Sequence, residues 1–242
     1  MMSYETTTYT KPPIVEAVFD IQCKVKDGFD LKGLKAAAEE RLGNDYPNIR
    51  DQFISTHQVT PNGVSLNQGL RGYHFHSADG KQIVQFRSDG FTFNRLAPYS
   101  SWNALQPQAK QVWEMFNELA PVEEVSRIAL RYINRLVLPT GVPLSDWLHV
   151  RPAYDTLDGL TPTGFLTRMQ FADGHGNLGA VNVTTQPAQG QELPILLDIE
   201  ATRFKAFDLN NEELWQIFSD LRTLKNRLFD GSLTPVCLDQ YR

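Results

Sequence analysis

Three pairs of charged residues at strand spacing are the first features that could do chemistry. Glu16 and Asp20 share one face of an alternating segment, Arg131 and Arg135 share a face of another, and Asp198 and Glu200 share a face of a third. If those segments lie side by side, the six residues form one charged cluster. Two guanidinium forks would then grip an anion in bidentate fashion, or paired carboxylates would hold a cation. The plainer expectation is an exposed sheet face of mixed charge, whose ion pairs are worth ~0–1 kcal/mol each. Asn134 falls on the opposite, apolar face of the Arg131 segment. A buried amide there must find partners, either in a neighbouring loop or in a ligand inside a pocket. Glu16, Asp20, Arg131, Asn134, Arg135, Asp198 and Glu200 are therefore the candidate ligand-binding residues. The Glu-x-Glu-x-Lys strand of triphosphate-tunnel enzymes is missing, because Ala17-Val18-Phe19 follows Glu16.

His74-Phe75-His76 sets two imidazoles on one strand face, a spacing that metal sites use. No adjacent cysteine or carboxylate completes a ligand set, and His57 would have to join from a neighbouring strand. Exposed strand histidines are the expectation, and neither a metal nor a cofactor is predicted. The chain has no Gly-x-Ser-x-Gly elbow, P-loop, dinucleotide glycine motif, His-Glu-x-x-His or kinase signature. Enzymatic activity stays open, since catalytic groups can assemble from distant positions. Arg71, Lys81, Arg87 and Arg95 interleave with Tyr73, Phe75, Phe86, Phe91 and Phe93. That pattern would let single-stranded bases stack, but in a hairpin it more simply marks a solvent face and a core face.

The elements that must position these groups are legible from periodicity and turn chemistry. Pro13 to Lys26 alternates with period two and ends at Asp27-Gly28. Asp30 caps a helix over Leu31–Leu42, which Gly43-Asn44 stops. Strands follow over Gln52–Thr60, Gly63–Leu66 running into Gly72–His76, Gln82–Arg87 and Gly90–Arg95. Pro61-Asn62-Gly63, Ala78-Asp79-Gly80 and Ser88-Asp89-Gly90 are hairpin turns, so these strands form an antiparallel meander. Ser100 or Ser101 caps a helix reaching Leu119. The same order then recurs: a strand over Arg127–Leu138, a short helix or crossover over Pro143–Val150 with Ser145 as a possible cap, strands over Thr163–Ala172, Gly179–Gln186 and Pro194–Phe204, and a helix capped by Asn210 and ended by Gly231. Thr234-Pro235 starts a final turn.

The pattern predicts an α+β fold, with antiparallel sheets packed on long helices in two pseudo-repeats of strand-helix-meander-helix. Residues 1–120 form the first half and 121–242 the second, packed as one compact unit. The order is similar to the TATA-binding-protein-like and helix-grip folds, a likeness that carries no function.

Composition fits an ordinary globular chain: 242 residues, 41% hydrophobic and 21% charged. Lys and Arg number 23 against 28 Asp and Glu, a net charge of −5, which argues against a general nucleic-acid binder. Two cysteines, Cys23 and Cys237, cannot make a disulfide scaffold. No run reaches the ~18 apolar residues of a membrane span, and a cytoplasmic protein is expected.

Lys11-Pro12-Pro13-Ile14-Val15-Glu16-Ala17-Val18-Phe19 and Ile128-Ala129-Leu130-Arg131-Tyr132-Ile133-Asn134-Arg135-Leu136 together resemble the signature strands of an uncharacterised, sporadically distributed bacterial protein family. Its members begin with a P-Φ-V-E-A-Φ-F strand, carry a central R-Y-x-N-R/K strand and end in a helix with a short tail. The resemblance implies no catalytic residues. Patchy distribution implies an accessory role of the defence or toxin–antitoxin type. The sequence thus points to a binding or interaction protein that takes a protein partner or a small polar ligand and forms a homodimer through open sheet edges. The alternatives are an enzyme or sensor binding an anionic ligand at the charged face, and a single-strand nucleic-acid binder.

Overall fold

A computed structural model describes residues 9–60, 63–153, 163–207 and 211–242, leaving aside the side chains of 56–60, 63–67, 206, 207 and 211. The architecture is α+β. One antiparallel sheet of nine strands runs β2-β3-β4-β5-β1-β6-β9-β8-β7. Its strands are β1 (Ile14–Val25), β2 (Asn48–Thr60), β3 (Gly63–His76), β4 (Gln82–Arg87), β5 (Gly90–Leu96), β6 (Val122–Pro139), β7 (Leu166–Ala172), β8 (Asn177–Thr185) and β9 (Glu192–Phe207). The helices are α1 (Leu31–Leu42), α2 (Trp102–Leu119), α3 (Asn211–Ser232) and α4 (Pro235–Asp239).

Side-chain alternation decides which sheet face the helices cover. Ala17, Phe19, Ile21 and Cys23 of β1 are buried, as are Leu130, Tyr132 and Leu136 of β6 and Ile195, Leu197, Ile199 and Ala201 of β9. Phe19 stacks on Trp102 of α2 and packs against Trp215 and Phe218 of α3. Phe86 and Phe91 meet Phe116 and Trp113 of α2. Burying aromatic rings of this size supplies much of the driving force for folding. Among the described residues, the other sheet face carries no helix.

The helix starts follow capping chemistry. Asp30 accepts a hydrogen bond from the Lys32 amide, Ser101 from the Ala104 amide and Thr234 from the Cys237 amide. One expectation changes and two are made specific. The segment Pro143–Val150 holds only a 3-10 turn, Leu144–Asp146, with Ser145 inside it and no side-chain cap. The two strand pieces around Gly69 are one strand, β3, interrupted by a register shift between Gln52 and Phe53 of its partner. The last long helix passes Gly231 by one residue. The Asn210 cap and the Pro61-Asn62 turn lie outside the described residues.

Candidate functional site

The charged pairs meet on the uncovered face because β1 and β6 are central neighbours and β9 follows β6. Register fixes the detail. Val18 lies opposite Arg131, Asp20 opposite Ala129 and Gln22 opposite Arg127. Arg131 in turn lies opposite Glu200, and Ile133 opposite Asp198. Glu16, Asp20, Arg131 and Glu200 line one depression of about 310 Å³ on this face.

The ion pairs form a ladder across strands. Asp20 accepts from Arg87 of β4 at 2.9 Å through Oδ1 and from Arg127 of β6 at 2.8 Å through Oδ2. Thr92 of β5 donates to Asp20 at 2.7 Å and itself accepts from Arg87. Arg127 reaches on to Glu200 at 2.9 Å. Arg131 makes a bidentate pair with Asp198, at 2.7 and 2.8 Å, and Asn182 of β8 also donates to that carboxylate. At the other end Gln85 donates to Asn94, and Asn94 donates to Glu16 at 2.6 Å. Arg87 is the anchor, with only 5% of its side chain exposed, and it also pairs with Asp89.

Hydrogen bonding and neighbouring charge act on two of these groups. Burial opposes charge on Asp89, but hydrogen bonds and charge from Arg71 and Arg87 outweigh it and hold the carboxyl below its usual value. The hydrogen bonds to Asp198 push the Arg131 guanidinium further above its ordinary value. Nearby Cys23 points into the core, where burial pushes its thiol up to about 12.

Two predicted residues do not join. Asn134 is 2% exposed and lies on the helix-covered face, where its amide donates to the Leu197 carbonyl at 3.0 Å. That bond is the structural role of a satisfied buried amide. Arg135 shares the face of Arg131 but sits beyond the depression, opposite Leu196. Sequence reasoning missed Arg127, Arg87, Thr92 and Asn94 as members. Their period-two spacing on β4, β5 and β6 was a readable signal, but strand adjacency was needed to use it.

The other sequence candidates also find places. Tyr73, Phe75, Phe86, Phe91 and Phe93 are all buried in the core, which leaves those rings unavailable for stacking bases. His74 and His76 lie on the uncovered face of β3 with ring centroids 6.3 Å apart. Burial lowers both imidazole pKa values, with the neighbouring His76 and Arg87 adding to the effect at His74 and Arg50 adding to it at His76. The side chain of His57, the third candidate, lies outside the described residues. Among the described residues, no group of three metal-ligating side chains converges.

Beside the ladder, sharing Glu200, lies a second depression of about 360 Å³ with an apolar floor. Leu178 is 49% exposed there, Phe204 is 61% exposed, and Arg168 of β7 stands at its edge. The chemistry available is therefore a balanced charge lattice next to exposed apolar side chains. Arg71, Arg87, Arg127 and Arg131 face Glu16, Asp20, Asp89, Asp198 and Glu200. No helix of the described residues is long and apolar enough to cross a membrane. Comparison with protein-family models and with curated proteins returned no match.

Proposed function

We propose that the chain is a non-enzymatic binding protein whose uncovered sheet face is a docking surface for a protein partner. The observation that carries this reading is the juxtaposition of a self-neutralised ion ladder with exposed Leu178 and Phe204. Protein interfaces combine an apolar centre with a charged, hydrogen-bonding rim. The arginines already hold carboxylates, which weighs against a bare anion clamp. Their acids equal or outnumber them, which weighs against a phosphate backbone. A partner with its own fixed charges can exchange pairs with such a lattice at little electrostatic loss and gain specificity in return. The occupant is thus a folded protein presenting an apolar side chain for the Phe204–Leu178 floor, flanked by charges of both signs. An accessory role of the defence or toxin–antitoxin type, in the bacterial family that the sequence resembles, would supply such a partner. Two pseudo-repeats, related about the β1–β6 junction, agree with a strand order that runs outward from those two strands.

The test is reconstitution of the purified complex, with the partner captured from the source cell and then expressed alone. Arg131→Glu and Phe204→Asp should each weaken binding at least ~100-fold, the loss expected of interface hot spots. Equal binding by both variants would refute the assignment. Size-exclusion chromatography of the isolated chain separates the case in which the occupant is a second copy.

A further inference from the structure

A further cavity among the described residues lies away from the ladder, on the helix-covered side. It measures about 430 Å³ and opens between the end of α1, the β3–β4 turn and the middle of α2. At its floor stands Arg95, in a place that the sheet's alternation reserves for core residues. Phe91 and Phe93 precede it on the same face of β5 and are fully buried. Its strand partners are Gln82 and Ala17. The Nε of Arg95 is buried with no hydrogen-bond partner, and the guanidinium forms no ion pair among the described residues. The Asp79 carboxylate and the Tyr46 hydroxyl feel its charge, but its buried Nε has no acceptor, and in native proteins such a group calls for an explanation.

The walls supply one. Tyr46 donates to the Gln82 amide oxygen at 2.6 Å, which fixes the Gln82 amide so that its nitrogen donates to Gln108 at 2.6 Å. The Gln108 amide nitrogen remains as a donor at the cavity rim. Asp79 accepts from the Ser77 hydroxyl and the Lys81 amide through Oδ1, and those bonds, with the Arg95 charge adding to them, hold its carboxyl below the usual value. Asp45 lies beside it, and Val112 and Met115 of α2 form an apolar wall. The cavity therefore brings together an arginine whose Nε has no hydrogen-bond partner, the carboxylates of Asp45 and Asp79, the Tyr46–Gln82–Gln108 hydrogen-bond chain and an apolar side. A simple anion such as phosphate would meet Asp45 and Asp79 as repulsive neighbours. A molecule carrying both a carboxylate and an ammonium group would meet neither problem.

We infer that this cavity binds a free α-amino acid with an uncharged side chain. Its carboxylate takes the fork of Arg95, its ammonium faces Asp79 and Asp45, and its side chain lies against Val112 and Met115. The volume sits within the ordinary range for small-ligand sites, ~300–1,000 Å³. This site is separate from the sheet face, so effector and partner can occupy the protein together.

Isothermal titration calorimetry and thermal denaturation of the full chain against the L-amino acids and inorganic phosphate test the inference. At least one uncharged amino acid should bind with a Kd below ~1 mM and raise the melting temperature. Its carboxamide and its deaminated analogue should each bind at least ~tenfold more weakly. Arg95→Met should abolish binding, while Arg131→Ala, on the opposite face, should leave it intact. If Arg95→Met does not fold, Asp79→Asn, which keeps the turn's hydrogen bonds, carries the mutational test with the analogue series on the native chain. Absence of binding by every amino acid, phosphate binding as tight as theirs, or unchanged binding in the variant tested would overturn the inference.

Discussion

Replacing Asp20 by alanine strips the ladder of its central acceptor. Arg87 would lose its 2.9 Å bond, Arg127 its 2.8 Å bond and Thr92 its 2.7 Å acceptor. The magnitude depends on who is left behind. The Arg87 side chain is 5% exposed and the Asp20 side chain 18%. Removing one partner of a buried pair costs ~3–5 kcal/mol, because the other charge stays desolvated. Here Arg87 keeps Asp89, and Arg127 keeps Glu200, so the lower part of that range applies, about 3 kcal/mol. For a chain of this size that corresponds to a fall in Tm of roughly 6–12 °C. Urea denaturation followed by circular dichroism is the assay, with Asp20→Ala, Arg87→Met and the double variant in one cycle. The double variant should recover most of the loss, since removing both charges together abolishes the orphaned one. A single-variant loss under ~0.5 kcal/mol, the value of an exposed pair, would show that the ladder is solvated and would refute the reasoning.

Three further outcomes follow from particular contacts. Lys225 of α3 sits over the Tyr132 ring at 4.1 Å, and desolvation, then Arg222, lowers its pKa to about 7. The Tyr132 hydroxyl beneath it pairs with that of Tyr99 at 3.3 Å. The unfolded lysine titrates near 10.4, so the unfolded chain binds more protons between those values and stability rises with pH across that window. Lys225→Met, which keeps the apolar stem, should gain stability below pH 7 and lose the rise above it, as denaturation at a series of pH values would show. An alanine at Gly72 would put its Cβ 2.2 Å from the Phe86 carbonyl oxygen, whereas at Gly179 it would meet only the end of the Leu228 side chain at 2.4 Å. Gly72→Ala should therefore be the more destabilising of the two in thermal melts, because backbone cannot step aside. Asn134→Ala should cost ~1–3 kcal/mol of stability in urea melts, the value of a buried hydrogen-bonded amide, and leave partner affinity unchanged.

Much of the architecture was readable before the coordinates. Alternation in β1 and β6 assigned both faces, and Asp30 and Ser101 marked helix starts that the structure confirms by hydrogen bonds. The ladder was half readable for the same reason: parity put Glu16 with Asp20 and Asp198 with Glu200. It could not say that β5, not β2, lies beside β1, so Thr92 and Asn94 stayed outside the set. Arg87 and Arg127 were missed because each looks like a solvent-facing strand residue until its neighbours are known. Asn134 was placed on the correct face, but its partner is a strand carbonyl across the sheet, a long-range contact that no local pattern encodes. The Arg95 cavity escaped notice because an arginine among phenylalanines reads equally well as a strand's outward side.

Hydrogen exchange of the reconstituted partner complex measures the central claim most directly. The account predicts slowed exchange on binding at β1, β6, β8 and β9, with amides of α2 and α3 unchanged. Slowed exchange on the helices, with those strands unaffected, would contradict it.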